Sequence, residues 1–431
     1  MLLPPSVQDF VPEDHLSRFV VSLVRESLDL RAIYAAYRGE KGQPPYDPSM
    51  MVALLLYSYA VGIYASRRIA RACAERADFM MIVALDAPDF RTISEFRRQH
   101  LEALSALFVQ VLRLAQEAGL VKLGHVALDG TKIKANASKH KAMSYQRMTA
   151  REKELEAEVR RWFETAAAQD AADDRALGKD KRGDELPAWV KDKEKRLAKI
   201  REAKAALEAE AKAAAEAKAR EAAAEAQRQA AGRKKPGKKA APPREMPDDK
   251  AQRNFTDPHS RILKTKDGFV QGYNAQAAVD GHAHIILAQA LTPSQSDQDQ
   301  LVVLVDAIED SLGRRPKETS ADAGYCSEAN LAELDARGIA AYIAVARSKH
   351  AAQAKRMING PLTQAMQRKL KRAGRRSRYR LRKQIVEPVF GQIKHARGFR
   401  QFLLRGIQKV KAEWAMICTA HNILKLATTA A

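Results

Sequence analysis

The middle of the chain most restricts how it can fold. Residues 150–250 are rich in alanine and in charges of both signs, with few large apolar side chains. Such a composition supports a long exposed helix or a helical hairpin, but it cannot supply a core. The stretch ends in GRKKPGKKAAPPREMPDDK, whose Pro, Gly and Lys content predicts a disordered linker. We therefore interpret residues 139–250 as an insertion, so the flanking residues must complete the fold.

Residues 1–120, before the insertion, have the apolar spacing of helices. The stretches HLSRFVVSLVRESLDL and EALSALFVQVLRLAQEAG place apolar residues on one helical face, and Gly119 predicts the end of the second. In DPSMMVALLLYSYAVG, Asp47 predicts an N-cap with Pro48 in the first turn. We expect an all-α N-terminal domain.

One of these helical stretches carries several arginines. ASRRIARACAERADFMMIV contains Arg67, Arg68 and Arg71. Short helices with an arginine-bearing member are typical of helix-turn-helix packing, in which one helix enters the major groove of DNA. The alternative is a helical domain whose arginines only solvate its outer face. The DNA-binding interpretation is the one we test below.

After the insertion, apolar and polar residues alternate. DGFVQGYNAQAAVDGHAHIILAQAL predicts a β-hairpin that turns at Asp280-Gly281. A helix, a strand ending at Asp322, a helix beginning near Ser327, a strand IAAYIAVA and a last helical region follow. This order predicts an α/β domain with a mixed sheet. Residues 121–138 supply its first strand, so we expect residues 121–138 and 251–431 to form one domain.

The charge of the chain indicates its partner. Lysine and arginine total 74 against 52 acidic residues, a formal net charge of +22 that attracts polyanions such as double-stranded DNA. A membrane is not expected, because the longest apolar run, at 50–65, is too short to span a bilayer. Three isolated cysteines and the lack of a secretory leader predict a cytoplasmic protein.

Two acidic residues are candidates for a catalytic role, and each also has a purely structural explanation. Asp129 ends the apolar run of HVALDGTKIKANA, where Asp-Gly predicts a hairpin turn and an acid at a strand end predicts a metal ligand. Glu387 is the one acidic residue in the very basic sequence between Ala352 and Lys411. It could start a helix, because Pro388 favours the first helical position. It could instead bind a metal while Lys394, two turns further, binds a phosphate.

A third acid completes a possible catalytic set. Asp129, Asp322 and Glu387 are expected on a first strand, at the end of a later strand and on a C-terminal helix. Phosphoryl transfer with two metal ions needs carboxylates arranged in this way. Hard oxygen ligands suit two Mg²⁺ ions, for which Mn²⁺ can substitute.

Other candidates have weaker support. Asp280 follows a strand but occupies an Asp-Gly turn, so a structural role is favoured. His282 and His284 share a strand face, where we expect outward-facing residues rather than metal ligands. Cys326 lies beside Asp322 without a second thiol or imidazole to support a nucleophile. No glycine-rich loop of the Walker type is present in the sequence, which argues against an ATP-driven enzyme.

The segments ALDGTKIKANAS, SADAGYCSE and RKQIVEPVFGQIKHARGFRQFLLRG, with the helical DPSMMVALLLYSYAVGIYASRRI region, resemble the DDE transposases of bacterial insertion sequences. The resemblance implies an RNase H-like catalytic domain in which Asp129, Asp322 and Glu387 bind the metals. It also implies that Lys394 contacts DNA near the cleaved end.

A related signature of that family places a tyrosine and an arginine before the glutamate. Tyr379 and Arg382 keep the spacing between those two, but four residues separate Arg382 from Glu387, and Lys383 stands at the expected place. We treat all three as candidate DNA-binding residues.

The sequence thus predicts a transposase in the bacterial cytoplasm, associated with the nucleoid. It would bind the terminal repeats of its element and the target DNA as a homodimer, cut with water and join through the freed 3′-hydroxyl. The alternatives are a metal-dependent nuclease without strand transfer and a non-catalytic DNA-binding protein derived from a transposase.

Overall fold

The computed structural model describes residues 6–37, 46–177, 188–230, 245–265, 268–345 and 360–430. These residues form two compact units. The first contains Met1–Asn136 and Leu263–Ala431, and the second contains Ala137–Ile262. Residues 232–244 of the predicted linker lie outside the described residues.

The N-terminal part of the first unit is helical, as predicted. Asp47 caps the third helix by accepting a hydrogen bond from the backbone N–H of Ser49, and Pro48 occupies its first turn. Gly119, with a φ of +73°, follows the seventh helix and ends it. The helices are α1 (Leu16–Ser22), α2 (Arg31–Tyr34), α3 (Pro48–Ala60), α4 (Ser66–Glu75), α5 (Ala77–Ile82), α6 (Phe90–Gln99) and α7 (Leu101–Glu117).

The rest of the first unit is built on a mixed sheet, also as predicted. The strands are β1 (His125–Lys134), β4 (Arg261–Thr265), β5 (Gly268–Asp280), β6 (Ile286–Thr292), β7 (Glu318–Ala321) and β8 (Ala340–Ile343). Their order is β4-β5-β1-β7-β8, with β6 also paired to β5. β5 lies antiparallel to β1 and β6, whereas β7 lies parallel to β1 and β8. This is the RNase H-like arrangement that the sequence resemblance implied.

Further helices follow the strands of this sheet. They are α10 (Gln300–Leu312), α11 (Glu328–Ala336), α12 (Pro361–Ala373), α13 (Leu381–Gly391) and α14 (Ile407–Ala430). Ser327 caps α11, as expected, by accepting from the backbone N–H of Asn330. None of the described helices combines the length and the apolar character needed to cross a membrane.

Asp129 and Gly130 lie in the interior of β1 and not in a turn. β1 pairs with β5 without interruption from Val126 to Lys134, so the hairpin interpretation of this Asp-Gly pair is wrong. The glycine is explained by close packing. A Cβ at Gly130 would lie 2.4 Å from Nε2 of Gln276 and 2.9 Å from Oδ1 of Asp297.

Asp280 forms the turn between β5 and β6, as predicted, and its role there is structural. Its side chain is 1% exposed, and its Oδ2 accepts the backbone N–H groups of Lys122 and Leu123 at 3.2 and 2.7 Å. Its Oδ1 accepts that of His282 at 2.7 Å. His282 and His284 lie in this turn rather than on a strand, because β6 begins only at Ile286.

α14 crosses beneath the sheet and buries polar groups that have specific partners. Asn422 accepts the N–H of Ile286 and donates to its carbonyl, each at 2.9 Å, which fixes the start of β6. Glu413 is fully buried and accepts the backbone N–H groups of Leu403 and Leu404. Burial raises the pKa of Glu413 from its ordinary value of 4.5 to about 7.

We expect Glu413 to make the stability of this unit depend on pH. When the pKa of an acid is higher in the folded than in the unfolded state, its ionisation lowers the free energy of unfolding. Below the pKa of the unfolded state the acid is protonated in both states, so nothing is lost. The loss grows as the pH rises from about 4.5 to about 7 and reaches on the order of 3 kcal/mol. Glu413→Gln keeps an acceptor for the two N–H groups. Unfolding curves at pH 5 and pH 8 should differ less for this variant than for the wild type.

The second unit has a core of its own, contrary to expectation. α8 (Tyr145–Leu177) and α9 (Ala188–Ala230) pack on each other, and β2 (Ala142–Ser144) pairs with β3 (Gln252–Asn254). The helical hairpin is as predicted, but the prediction that it lacks a core is wrong. Sparse apolar residues suffice because their helical spacing collects them on one seam. The buried cluster contains Met148, Leu155, Leu197, Ile200, Ala203 and Leu207.

Candidate active site

Asp129 lies on β1, the strand that joins the antiparallel and parallel parts of the sheet. Its side chain is 18% exposed, and its Oδ2 forms an ion pair with Arg382 of α13. Its Oδ1 accepts the backbone N–H of Gly130 at 2.9 Å. A partly buried carboxylate is thus held at the middle of the sheet and partly neutralised by one arginine.

Asp322 follows directly after β7, the parallel neighbour of β1. Its Oδ1 accepts the backbone N–H of Gly324 at 2.8 Å, and this bond caps a short 3-10 turn, Ala323–Tyr325. The turn directs the chain away from the sheet and leaves the Asp322 carboxylate at the strand end, where the sequence predicted it.

Two other acids are close to Asp129. Asp129 and Asp322 each lie two residues beyond Ala127 and Ser320, which pair on the parallel strands β1 and β7. Oδ1 of Asp297 lies 2.9 Å from the point that a Cβ on Gly130 would occupy. Burial raises the pKa of Asp129 from 3.8 to about 6. The positive charge of Arg382 lowers that pKa, whereas the negative charges of Asp322 and Asp297 raise it. The structure therefore brings Asp129 and Asp322 to neighbouring positions and adds Asp297, which the sequence argument missed.

Glu387 does not join these aspartates. It is exposed on α13, and the charged groups with the largest effect on Asp129 are Arg382, Asp322 and Asp297. The helix-start interpretation of Glu387 is also wrong, because Pro388 lies inside α13. Proline lacks the N–H that would bond the carbonyl of Gln384, and His284 makes a hydrogen bond with that backbone group.

Lys394 lies against β1 on the side of Asp129. Its Nζ donates to Oγ1 of Thr131 at 3.0 Å and to the carbonyl of Lys132 at 3.1 Å. Thr131 is two residues beyond Asp129 and so shares its face of the strand. Burial, with a smaller effect of Arg400, lowers the pKa of Lys394. α13 continues into a π-helical turn, Gln392–Ala396, so Lys394 does not follow Glu387 at regular α-helical spacing.

The candidate residues before Glu387 differ in their surroundings. Arg382 binds Asp129 and also hydrogen-bonds Tyr379, and both partners raise its pKa, against the lowering by burial. Tyr379 lies in a 3-10 turn before α13. Lys383 is exposed. Arg382 is therefore part of the aspartate site, whereas Lys383 is on the surface.

The arginines of α4 lie on the surface, some distance in sequence from the aspartates. Arg67, Arg68 and Arg71 are exposed, while Ile69 and Cys73 of the same helix are buried. Arg71 forms an ion pair with Glu75 at 2.7 Å. The guanidinium of Arg67 stacks on the ring of Phe90, the first residue of α6. This exposure agrees with both the DNA-binding and the solvating interpretation.

Asp297 could have been found from topology. It lies on the loop between β6 and α10. β6 is antiparallel to β5, which is antiparallel to β1, so β6 runs in the same direction as β1 and β7. The loop after β6 is therefore near the edge at which β7 ends in Asp322. The hairpin predicted from the sequence already implied that the loop of Asp297 lies near Asp322.

Carboxylate oxygens are suitable ligands for a hard divalent cation, and the mutual repulsion of Asp129 and Asp322 is what such a cation would relieve. The fit is partial, however. In the part of the chain that the structure describes, no three His, Cys, Asp or Glu side chains are arranged as a metal-binding group. Glu387 would have to approach for the expected set of three to form.

Two stretches of the sequence match models of known families. Residues 248–423 match the family described as Transposase DDE domain, and residues 5–99 match that described as Transposase domain (DUF772). The chain belongs to the DDE transposases of insertion sequences. No curated protein and no solved structure gives a match. The DDE match in this transposase contains Asp322, Glu387 and Lys394. Asp129 precedes the match in the sequence and is separated from it by the helical insertion.

Proposed function

We propose that this transposase binds the terminal repeats of its insertion sequence and catalyses strand cleavage and strand transfer at the Asp129–Asp322 site. A DDE domain implies polynucleotidyl transfer. The observation that carries the proposal is the position of two aspartates on adjacent parallel strands, Asp129 on β1 and Asp322 directly after β7, with Lys394 hydrogen-bonded to Thr131 of β1.

In this proposal Asp129 and Asp322 hold divalent cations, Mg²⁺ or Mn²⁺, and Glu387 completes the coordination when DNA is bound. Bound in pairs, such cations would activate the attacking oxygen and stabilise the leaving oxygen. Arg382 forms an ion pair with Asp129 in this structure, and it would balance the negative charge of Asp129 until a cation binds. Lys394 then faces the scissile phosphate from the same side of β1.

The proposed DNA contacts follow the distribution of charge. The formal charge of +22 attracts the DNA backbone, and binding should weaken as salt rises because counterions are released. Arg67, Arg68 and Arg71 would contact the terminal repeats, and Tyr379, Arg382 and Lys383 the cleaved end. The DNA-bound protein would be a homodimer.

The experiment that tests this function uses DNA from the two flanks of the gene. Purified protein is incubated with labelled duplexes carrying the flanking inverted repeats, an unlabelled target plasmid, and either Mg²⁺, Mn²⁺ or EDTA. We expect metal-dependent 3′-hydroxyl ends followed by labelled DNA joined to the target. Cleavage without joined product would favour the nuclease, and salt-sensitive binding without cleavage would favour the non-catalytic DNA-binding protein.

A further inference from the structure

Asp297 approaches Asp322 closely from a different element. A Cβ built on Gly324 would lie 2.9 Å from Oδ1 of Asp322 and 3.0 Å from Oδ2 of Asp297. Both carboxylates therefore lie beside the point that a side chain at residue 324 would occupy. Neighbouring carboxylates repel each other unless a proton or a cation lies nearby.

Two buried amides hold the Asp297 carboxylate in this position. Nδ2 of Asn274 and Nε2 of Gln276 each donate to its Oδ1 at 2.6 Å. Both amides lie on β5 and are fully buried. Burying an amide costs free energy unless it is hydrogen-bonded, so these residues are explained by the acceptor that they share.

The same network reaches the turn that carries Asp322. Oε1 of Gln276 accepts a hydrogen bond from the hydroxyl of Tyr325, which is fully buried. The backbone N–H of Tyr325 donates in turn to the carbonyl of Asp322 at 3.3 Å. Gln276 therefore connects the two acids: its amide nitrogen donates to Asp297, and its amide oxygen accepts from Tyr325 in the Asp322 turn. These two bonds fix the orientation of the amide.

The negative charge of Asp297 is only weakly compensated. Nζ of Lys132 is 3.9 Å from its Oδ1, which is too long for a hydrogen bond. Beside it, Oδ1 of the buried Asn274 has no hydrogen-bond partner among the described residues. The field of Asp297 therefore acts on its neighbours, and it raises the pKa of Asp129.

We propose that Asp297 is a positioning residue of the active site. It anchors the Asp322 turn through Gln276 and Tyr325, and its charge strengthens the binding of a divalent cation by Asp129 and Asp322. This inference rests on the proposed function, because it assumes that the two aspartates bind a cation. It assigns to Asp297 a role that is separate from the three acids predicted from the sequence.

The test measures Mn²⁺ binding to the full-length protein without DNA, by electron paramagnetic resonance. Asp297→Asn keeps the oxygen that accepts from both amides and removes the charge. We expect Mn²⁺ affinity to fall about tenfold, as for residues that support metal ligands, with an unchanged thermal unfolding midpoint.

Tyr325→Phe provides a second, independent variant. It removes the hydroxyl that donates to Gln276 but keeps the ring and all three aspartates. We expect a several-fold weaker Mn²⁺ affinity, because the Asp322 turn loses its link to Gln276 while no charge changes. Asp299→Asn, an exposed acid on the same loop, is the matched control and should bind Mn²⁺ as the wild type does.

The outcomes separate this inference from the proposed function. Wild-type Mn²⁺ affinity in Asp297→Asn, together with loss of Mn²⁺ binding in Asp129→Asn, would overturn the positioning role. Equal Mn²⁺ binding by the wild type and Asp129→Asn would instead overturn the cation site itself, and with it the role of Asp297. If Asp297→Asn lowers the unfolding midpoint, Tyr325→Phe decides, and wild-type affinity in that variant counts against the proposal.

Discussion

Asp129→Asn and Asp322→Asn should each reduce metal-dependent cleavage of terminal-repeat DNA by about a thousandfold or more. Cations bound by carboxylates supply several kcal/mol of transition-state stabilisation, and each 1.4 kcal/mol is a factor of ten in rate. Asparagine keeps the shape and one acceptor oxygen but removes the charge. DNA binding, measured by electrophoretic mobility shift, should stay within a few fold because the basic residues are unchanged.

Asp280→Ala is the control for this pair of variants. Its carboxylate accepts three backbone N–H groups, from Lys122, Leu123 and His282, and lies away from the proposed chemistry. Alanine leaves these buried donors unsatisfied, so the unfolding free energy should fall by about 1–3 kcal/mol while the folded protein still cleaves. Near wild-type cleavage by either Asp129→Asn or Asp322→Asn would show that the residue is misassigned.

Much of this site could be predicted because it depends on strand order. The alternating stretch after the insertion predicted the β5–β6 hairpin, and the later apolar segments predicted β7 and β8. A parallel β1–β7 pair then places Asp129 and Asp322 near each other. The spacing from Glu387 and the family resemblance both selected Lys394, whose contact with Thr131 of β1 agrees with a position near Asp129, although a π-helical turn breaks the assumed α-helical spacing.

The remaining features depend on contacts that no local pattern specifies. Asp-Gly at 129–130 has the sequence of a turn, but Gly130 is needed because Asp297 packs where its side chain would be. Pro388 has the sequence of a helix start, yet it lies inside α13, where His284 bonds the carbonyl of Gln384 that proline leaves free. Local propensity favours the turn and the helix start, and tertiary packing overrides both.

The core of the second unit was missed for a related reason. Its mean composition is poor in large apolar residues, and the expectation was drawn from that mean. A two-helix seam needs only about one apolar residue per turn on each helix. Leu197, Ile200 and Leu207 meet this requirement on α9 and pack with Met148 and Leu155 of α8. Spacing, rather than composition, decides whether such a segment has a core.

Glu387→Gln should reduce cleavage about as much as the aspartate variants do, yet leave Mn²⁺ binding by the DNA-free protein nearly unchanged. The reason is its position: Glu387 is exposed on α13, while Asp129 and Asp322 already act on each other. If Glu387 binds the cation only after bound DNA moves α13 towards it, the Glu387→Gln substitution affects only the DNA-bound complex. α13 is suited to such a movement, because Arg382 links it to Asp129 through an ion pair that a cation would weaken.

The measurement compares single-turnover cleavage of pre-bound terminal-repeat DNA with Mn²⁺ titration of the free protein. Asp310→Asn, which removes an exposed acid from α10, is the control and should match the wild type in both. Loss of Mn²⁺ affinity by free Glu387→Gln would mean that Glu387 already completes the site without DNA. Wild-type cleavage by Glu387→Gln would remove it from the active site and leave Asp297, which two buried amides hold beside Asp322, as the candidate third acid.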